Sequence, residues 1–99
     1  MSMYEEKATR ILKQQGFVNI KKVSGESFDL TAEKENIRYY VEVKGTGQQG
    51  VMGRYVVPQH ELKALYMHYL LKDKEKAVLI FVDDFDNYYM FEMVDGFIV

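Results

Sequence analysis

The chain has 99 residues, of which 47% are hydrophobic and 28% charged, and its formal net charge is −2. This predicts one soluble globular domain over residues 1–99, without the basic balance usual in proteins that bind duplex phosphates. The absence of cysteine excludes disulfides, thiolate zinc sites and cysteine nucleophiles. No apolar run approaches the roughly 20 residues that span a bilayer, and no signal peptide opens the chain, so we expect a cytoplasmic protein without a membrane partner.

Charge is distributed unevenly along the chain. Part of the acidic excess lies near the C-terminus, in Asp83, Asp84, Asp86, Glu92 and Asp95. The segment up to Arg54 is closer to balance, and its basic residues include Lys21, Lys22, Lys34, Arg38 and Lys44. We therefore expect any surface that binds nucleic acid to lie in the first half of the chain.

The first predicted element is an amphipathic helix over residues 3–15. Ser2 stands at the N-cap position with Glu5 three residues later, which is the pattern of a capping box, and Gly16 ends the helix. The apolar residues recur at helical spacing, at Tyr4, Ala8, Ile11 and Leu12.

Three strands are predicted next. The first covers residues 17–23 and is followed by a turn that begins at Ser24. The other two, residues 27–33 and 37–44, form a β-hairpin that turns at residues 34–36.

The predicted hairpin gathers polar side chains on one surface. Alternation along its second strand places Glu42 and Lys44 side by side, on the face opposite Val41 and Val43. If Phe28 and Leu30 face the same core as these valines, Asp29 lies on the surface of Glu42 and Lys44. Two carboxylates and an ammonium on adjacent strands can hold a divalent metal and a hydrolytic water. The alternative is a solvent-facing strand pair joined by salt bridges.

Residues 45–53 carry four of the seven glycines but lack the Gly-Lys-Ser/Thr end of a phosphate-binding P-loop. Either they form a flexible connection, or they are a mobile flap that closes on substrate, with Gln48, Gln49 and Arg54 as polar contacts. We favour the flap, because so long a loop directly after Lys44 requires a reason in a small domain.

The second half of the sequence predicts a short strand at residues 55–57, followed by a helix from Pro58 to about Lys72 that carries Gln59. Two further strands are predicted, a buried one at residues 77–82 and another at residues 88–94. His60 and His68 are eight residues apart, so they are interpreted as surface or packing residues. The acids of turn 83–87 lack the glycine and closing Glu of a calcium loop, which predicts a solvated turn. The apolar tail, residues 96–99, is expected to dock on the core or on a partner chain.

The hairpin residues carry a resemblance to a known family. Asp29, followed thirteen residues later by Glu42-Val43-Lys44, resembles the D…ExK signature of the PD-(D/E)xK nuclease superfamily, with Phe28 where a proline is usual. The order of a helical Glu5, Gly16-Phe17, Ser24-Gly25, Asp29 and ExK is similar to that of archaeal Holliday-junction resolvases. Residues 41–46 also resemble restriction-endonuclease-like domains, and the whole resemblance covers roughly residues 4–46.

The resemblance implies a fold and an activity. The fold would be α+β with a three-layer, restriction-endonuclease-like core: a mixed central sheet flanked by helices, in the order αβββαββ. Asp29, Glu42 and the carbonyl of Val43 would hold Mg²⁺, for which Mn²⁺ can substitute. Lys44 would orient the attacking water, and Glu5 would be an accessory ligand as well as a capping partner. The predicted substrate contacts are Ser24, Lys22, Gln48, Gln49, Arg54 and Gln59.

Three functions remain open at this point. The first is a DNA endonuclease similar to Holliday-junction resolvases, which would act as a homodimer because two strands must be cut. The second is a restriction or repair nuclease. The third is a nuclease fold without activity that binds nucleic acid or protein.

Overall fold

The computed structural model describes residues 1–23, 28–47, 74–94 and 97–98. Within these ranges the element order is one helix followed by six strands. Several predictions fall outside the described residues: the strand at 55–57, the helix from Pro58 to Lys72 with both histidines, and most of the glycine-rich loop.

The predicted first helix is confirmed as α1, Met3–Gln14. Its N-terminus has a complete capping box, because the Ser2 hydroxyl accepts from the Glu5 N–H at 3.1 Å and the Ser2 N–H donates to the Glu5 carboxylate at 2.8 Å. Gly16 follows the helix with a φ of 91°, a conformation that glycine adopts without steric cost.

The six strands form a single mixed sheet. They are β1 (Val18–Lys22), β2 (Leu30–Lys34), β3 (Ile37–Gly47), β4 (Glu75–Asp83), β5 (Tyr88–Val94) and β6 (Phe97–Ile98). Their order in the sheet follows the chain; β3 and β4 run parallel, and every other neighbouring pair is antiparallel. The α+β class and the mixed sheet are confirmed. The order differs from the predicted αβββαββ through the additional strand β6, and the second helix falls outside the described residues.

The hairpin between β2 and β3 is confirmed, with a turn one residue shorter than the predicted 34–36. Lys34 pairs with Ile37, which leaves the two-residue loop Glu35-Asn36 between β2 and β3. Both loop residues have positive φ, 54° and 65°, as a type I′ turn requires.

The sheet has a buried cluster on each face. On the helix face, the side that α1 covers, Leu12 and Ala8 pack on buried residues of the inner strands: Leu30, Val41, Val43, Val78, Ile80 and Val82. On the opposite face, a second cluster contains Phe28, Tyr40, Ala77 and Leu79, with Phe81 and Phe91 packed against it. The prediction that residues 77–82 form a strand buried on both faces is therefore confirmed.

The prediction of which face each residue of the first hairpin strand occupies was wrong. That strand was predicted from residue 27, but β2 begins at Leu30, and Phe28 and Asp29 lie in a bend. The bend breaks the alternation, so Phe28 packs in the cluster of the opposite face while Leu30 packs on the helix face. Phe28 and Leu30 do not share the core of Val41 and Val43, as the prediction supposed.

The loop predicted at residues 45–53 cannot begin before β3 ends at Gly47. Gly45, Thr46 and Gly47 belong to β3, because the parallel pairing continues from Lys44 opposite Phe81 to Gly47 opposite Asp83. The remainder of the proposed flap lies outside the described residues.

The turn after β4 is only partly solvated. Residues 84–87 are exposed, as predicted, but Asp83 is 1% exposed. Its carboxylate accepts from the N–H groups of Phe85 and Asn87 at 2.9 and 2.8 Å, and from the Asn87 side-chain amide at 3.0 Å. Asp83 therefore organises the connection between β4 and β5.

The tail returns to its own chain. The backbone of β6 pairs with β5, with Phe97 opposite Val94 and Ile98 opposite Met93. This is the intramolecular one of the two placements expected for the apolar tail. Within the described residues, no helix has the length and apolar character needed to cross a membrane.

Candidate active site

Asp29 is joined directly to the strand that carries the other predicted site residues. Its Oδ2 accepts a hydrogen bond of 2.8 Å from the Val43 N–H, and its own N–H donates to the Val41 carbonyl at 2.9 Å. The ladder of β2 and β3 begins at Leu30 opposite Val41, so the Asp29 carboxylate continues the contact with β3 beyond the paired residues. The bend at Asp29 produces this geometry, because it turns the side chain toward the β3 backbone.

Glu42 and Lys44 lie on the face opposite α1, on either side of Val43. The Lys44 Nζ is 3.8 Å from the Glu42 Oε1, and their side chains are 14% and 9% exposed. An ion pair with so little exposure differs from the solvent-facing salt bridge that the alternative interpretation requires. Both residues also make interactions beyond this pair.

The available oxygen atoms suit a small hard cation. The N–H and C=O of one strand residue point to the same neighbouring strand, so the Val43 carbonyl is directed to the side on which its N–H meets Asp29. The site then offers two carboxylates and one carbonyl. Mg²⁺ accepts one or two carboxylates and keeps several waters, so this set fits it, although the described residues contain no group of three or more His, Cys, Asp or Glu side chains placed to hold a metal.

Glu5 is a capping residue in this structure, as one of its two interpretations held. It is 8% exposed, and its Oε1 accepts from both the Ser2 N–H and the Lys22 ammonium, the latter at 2.9 Å. The Ser2 N–H and Lys22 hold the pKa of the Glu5 carboxyl below its ordinary value of 4.5. Lys22, predicted as a substrate contact, is thus engaged with Glu5 and remains half-exposed. The second role of Glu5, as an accessory ligand, stays a prediction.

A contact that the sequence did not reveal fixes the end of β3. The Tyr4 ring packs directly on Gly45, the residue after Lys44, and leaves no room for a Cβ there. The Tyr4 hydroxyl donates to Asp84 at 2.7 Å, which raises the tyrosine pKa, and the Asp84 N–H donates to the Gly47 carbonyl at 3.2 Å. In the sequence, Tyr4 was recognised only as part of an apolar stripe.

The acidic turn therefore lies beside the C-terminal end of β3. Asp84 contacts Gly47, which is three residues beyond Lys44, or about 10 Å along a strand. Asp86 is paired with Lys7 at 2.8 Å, and this contact lowers the aspartate pKa. Both acids are engaged with residues of α1, on the face opposite Glu42 and Lys44, so the acidic turn supports the end of β3 from the helix face.

Of the predicted site residues, the structure bonds Asp29 to Val43, pairs Glu42 with Lys44 on the two sides of Val43 in β3, and places Lys22 against Glu5. The other predicted substrate contacts, Ser24, Gln48, Gln49, Arg54 and Gln59, lie outside the described residues. The sequence did not reveal that Lys44 has aromatic neighbours on the adjacent strands. The first of them is Phe81, which stands opposite Lys44, and only the pairing of β3 with β4 shows this.

Comparison with known proteins adds no family to this description. No family model matches the chain, and no curated protein matches it. The function therefore has to be inferred from the side chains of the site.

Proposed function

We propose that the protein is a Mg²⁺-dependent DNA endonuclease whose active site consists of Asp29, Glu42, Val43 and Lys44. One observation carries the proposal: the Asp29 carboxylate is held against the Val43 N–H, between the two residues that supply the second carboxylate and the ammonium. The ordered D…ExK resemblance gives the same assignment.

Each residue has a task that its position supports. The carboxylates of Asp29 and Glu42, with the Val43 carbonyl, would hold the cation, which when bound polarises the phosphodiester and acidifies a water. Lys44 would orient the attacking water and offset the negative charge that develops on the phosphate. Since the Lys44 side chain is mostly buried, its charge acts in a medium that screens it less than water does.

The burial of the Glu42–Lys44 pair supports a functional role. Removing charged groups from water is costly, and the side chains of Lys44 and Glu42 are only 14% and 9% exposed. Residues that serve stability alone at these positions would be better apolar. A site that places an ammonium and two carboxylates around one phosphate explains their presence.

The proposal also covers the kind of DNA that is cut and the oligomeric state of the protein. A nuclease similar to Holliday-junction resolvases would act as a homodimer, because one chain supplies one site and symmetric cleavage needs two. A restriction or repair nuclease is the nearest alternative. A binding module with an inactive site is the third, and cleavage itself separates it from the other two.

The test is a cleavage assay on a panel of labelled DNAs: linear duplex, flap and four-way junction, each with Mg²⁺ and with EDTA. The expected result is cleavage that requires Mg²⁺ and is lost in Glu42→Gln. Glu33→Gln is the matched control, because Glu33 is a half-exposed carboxylate of the same sheet, paired loosely with Arg38. The proposal is wrong if no DNA is cut, or if cleavage persists in Glu42→Gln.

A further inference from the structure

An aromatic patch lies on the face of the sheet that carries Glu42 and Lys44. It consists of Phe81 on β4 with Tyr89 and Phe91 on β5. The Phe81 and Phe91 ring centres are 5.7 Å apart, those of Tyr89 and Phe91 are 6.0 Å apart, and both pairs meet edge to face. Tyr89 also makes a further interaction, but the residue is 41% exposed, so part of its surface reaches solvent.

The patch is continuous with the candidate active site. Phe81 stands opposite Lys44 in the parallel pairing, and Tyr89 stands opposite Phe81 in the next pair. Paired residues project from the same face, and neighbouring strands are about 4.8 Å apart, so Tyr89 is roughly 10 Å from Lys44 across the sheet. A substrate held at Lys44 therefore lies within one or two strands of an exposed ring.

The charge of the protein favours a ligand that is recognised by more than its phosphates. The formal net charge is −2, and Lys22, one of the basic residues of the first half, is already paired with Glu5. Phosphate contacts supply most of the affinity in basic nucleic-acid-binding proteins. Stacking of bases on aromatic rings is the other main source, and it requires bases that are unpaired and accessible.

We propose that the aromatic patch stacks unpaired bases, so that the substrate presents a single-stranded DNA segment beside the phosphodiester at Lys44. This inference rests on the proposed function for the identity of the reaction. The ring of Tyr89 makes the contact, and Phe91, whose ring meets that of Tyr89 edge to face, supports it from the side. Duplex DNA, whose bases are already stacked in the helix, cannot make this contact.

Binding is measured without cleavage, in EDTA, with fluorescently labelled strands. The probes are a thymidine oligonucleotide, an abasic strand of the same length and charge, and the corresponding duplex. We expect the thymidine strand to bind most tightly, and Tyr89→Ala to weaken it about tenfold, the effect typical of losing one stacked base. Tyr88→Ala is the control, because Tyr88 is 37% exposed, stands opposite Val82 and bonds Gln15 of the segment after α1 on the other face.

A second variant guards against misfolding and reports the contact directly. The chain has no tryptophan, so Tyr89→Trp introduces a single indole whose fluorescence a stacked base should quench. Quenching by the thymidine strand and not by the abasic strand supports the proposal. Equal binding of the two strands, or equal loss in Tyr89→Ala and Tyr88→Ala, overturns it. Stacking without any Mg²⁺-dependent cleavage would instead refute the proposed function and leave the aromatic patch as a binding site for unpaired bases.

Discussion

The carboxylate of Asp29 accepts the N–H of Val43, the residue that separates Glu42 from Lys44. The Asp29 carboxylate is thereby fixed to the strand that carries Glu42 and Lys44, although Asp29 itself lies in a bend before β2 begins. The relationship depends on the bend at Phe28 and Asp29, since a regular strand would direct the Asp29 side chain out of the sheet rather than along it.

The site is expected to bind a divalent cation. Calorimetry with Mn²⁺ should detect binding in the wild type and none in Asp29→Asn or Glu42→Gln, because each change replaces a charged ligand with a neutral amide. Asp29→Asn retains an oxygen that can accept the Val43 N–H, so its fold should survive. Equal heats of binding in the wild type and both variants would contradict the metal assignment.

Stability should depend on pH through Glu5. Its pKa is lower in the folded protein than its ordinary value of 4.5, so the carboxylate stabilises the fold above that pH, and the contribution is lost as the pH falls through the folded pKa. Urea unfolding from pH 7 to 3 should show a smaller loss of stability on acidification in Glu5→Gln than in the wild type. Parallel curves for the two proteins would show that the capping carboxylate makes no such contribution.

The N-cap can be tested separately. Ser2→Ala removes the hydroxyl that accepts the Glu5 N–H and should lower the free energy of unfolding by about 1 kcal/mol. Thr9→Ala is a suitable comparison, because the Thr9 hydroxyl bonds the Glu5 carbonyl within the helix and does not cap it. A larger loss in Thr9→Ala than in Ser2→Ala would contradict the importance of the cap.

Gly45 is expected to be intolerant of a side chain because of Tyr4. A Cβ at this position would overlap the tyrosine ring, so Gly45→Ala should lower the free energy of unfolding by roughly 1–3 kcal/mol, as overpacking of a close contact does. The double variant with Tyr4→Ala removes the overlap. Urea unfolding of the four proteins should show that Gly45→Ala is much less damaging when Tyr4 is absent, and strict additivity would disprove the contact.

The assembly makes a further prediction. If the protein cuts two strands symmetrically, it should sediment as a homodimer at tens of micromolar. The apolar tail was expected to dock on the core or on a partner chain, and truncation before Phe97 tests its role in an interface by removing β6. Because β6 pairs with β5 of its own chain, the truncated protein must still give a folded circular-dichroism spectrum for the result to count. A wild-type monomer would refute the dimer and weaken the case for junction cleavage.

Much of the fold was predictable from local patterns. The helix at Met3–Gln14 followed from apolar spacing and a capping box, and the turn at Glu35-Asn36 from the polar break between two alternating strands. These features depend on residues close in sequence. The sequence alone could not distinguish the pairing of β6 with β5 from docking of the tail on a partner chain, because an apolar tail is expected in both cases.

The neighbouring positions of the candidate residues on β3 were predictable, but the placement of Asp29 was not. Alternation along β3 correctly joined Glu42 and Lys44, yet it placed Asp29 by a regular strand that the structure replaces with a bend. Two further features escaped prediction. The Tyr4 ring contacts Gly45, about forty residues along the chain, and Asp83 is buried because the turn that follows it folds back on its carboxylate. Sequence spacing carries no record of such contacts.

The most direct test of the account is the single-turnover rate of DNA cleavage by Lys44→Ala in Mg²⁺. The account predicts that DNA and Mn²⁺ binding persist while the cleavage rate falls about 100-fold or more, because the ammonium acts on charge that develops in the transition state. Lys76→Ala is the control, since Lys76 lies on the neighbouring strand in a partly exposed pair with Glu92 at 3.1 Å. Wild-type cleavage rates in Lys44→Ala, or an equal fall in Lys76→Ala, would contradict the active-site assignment.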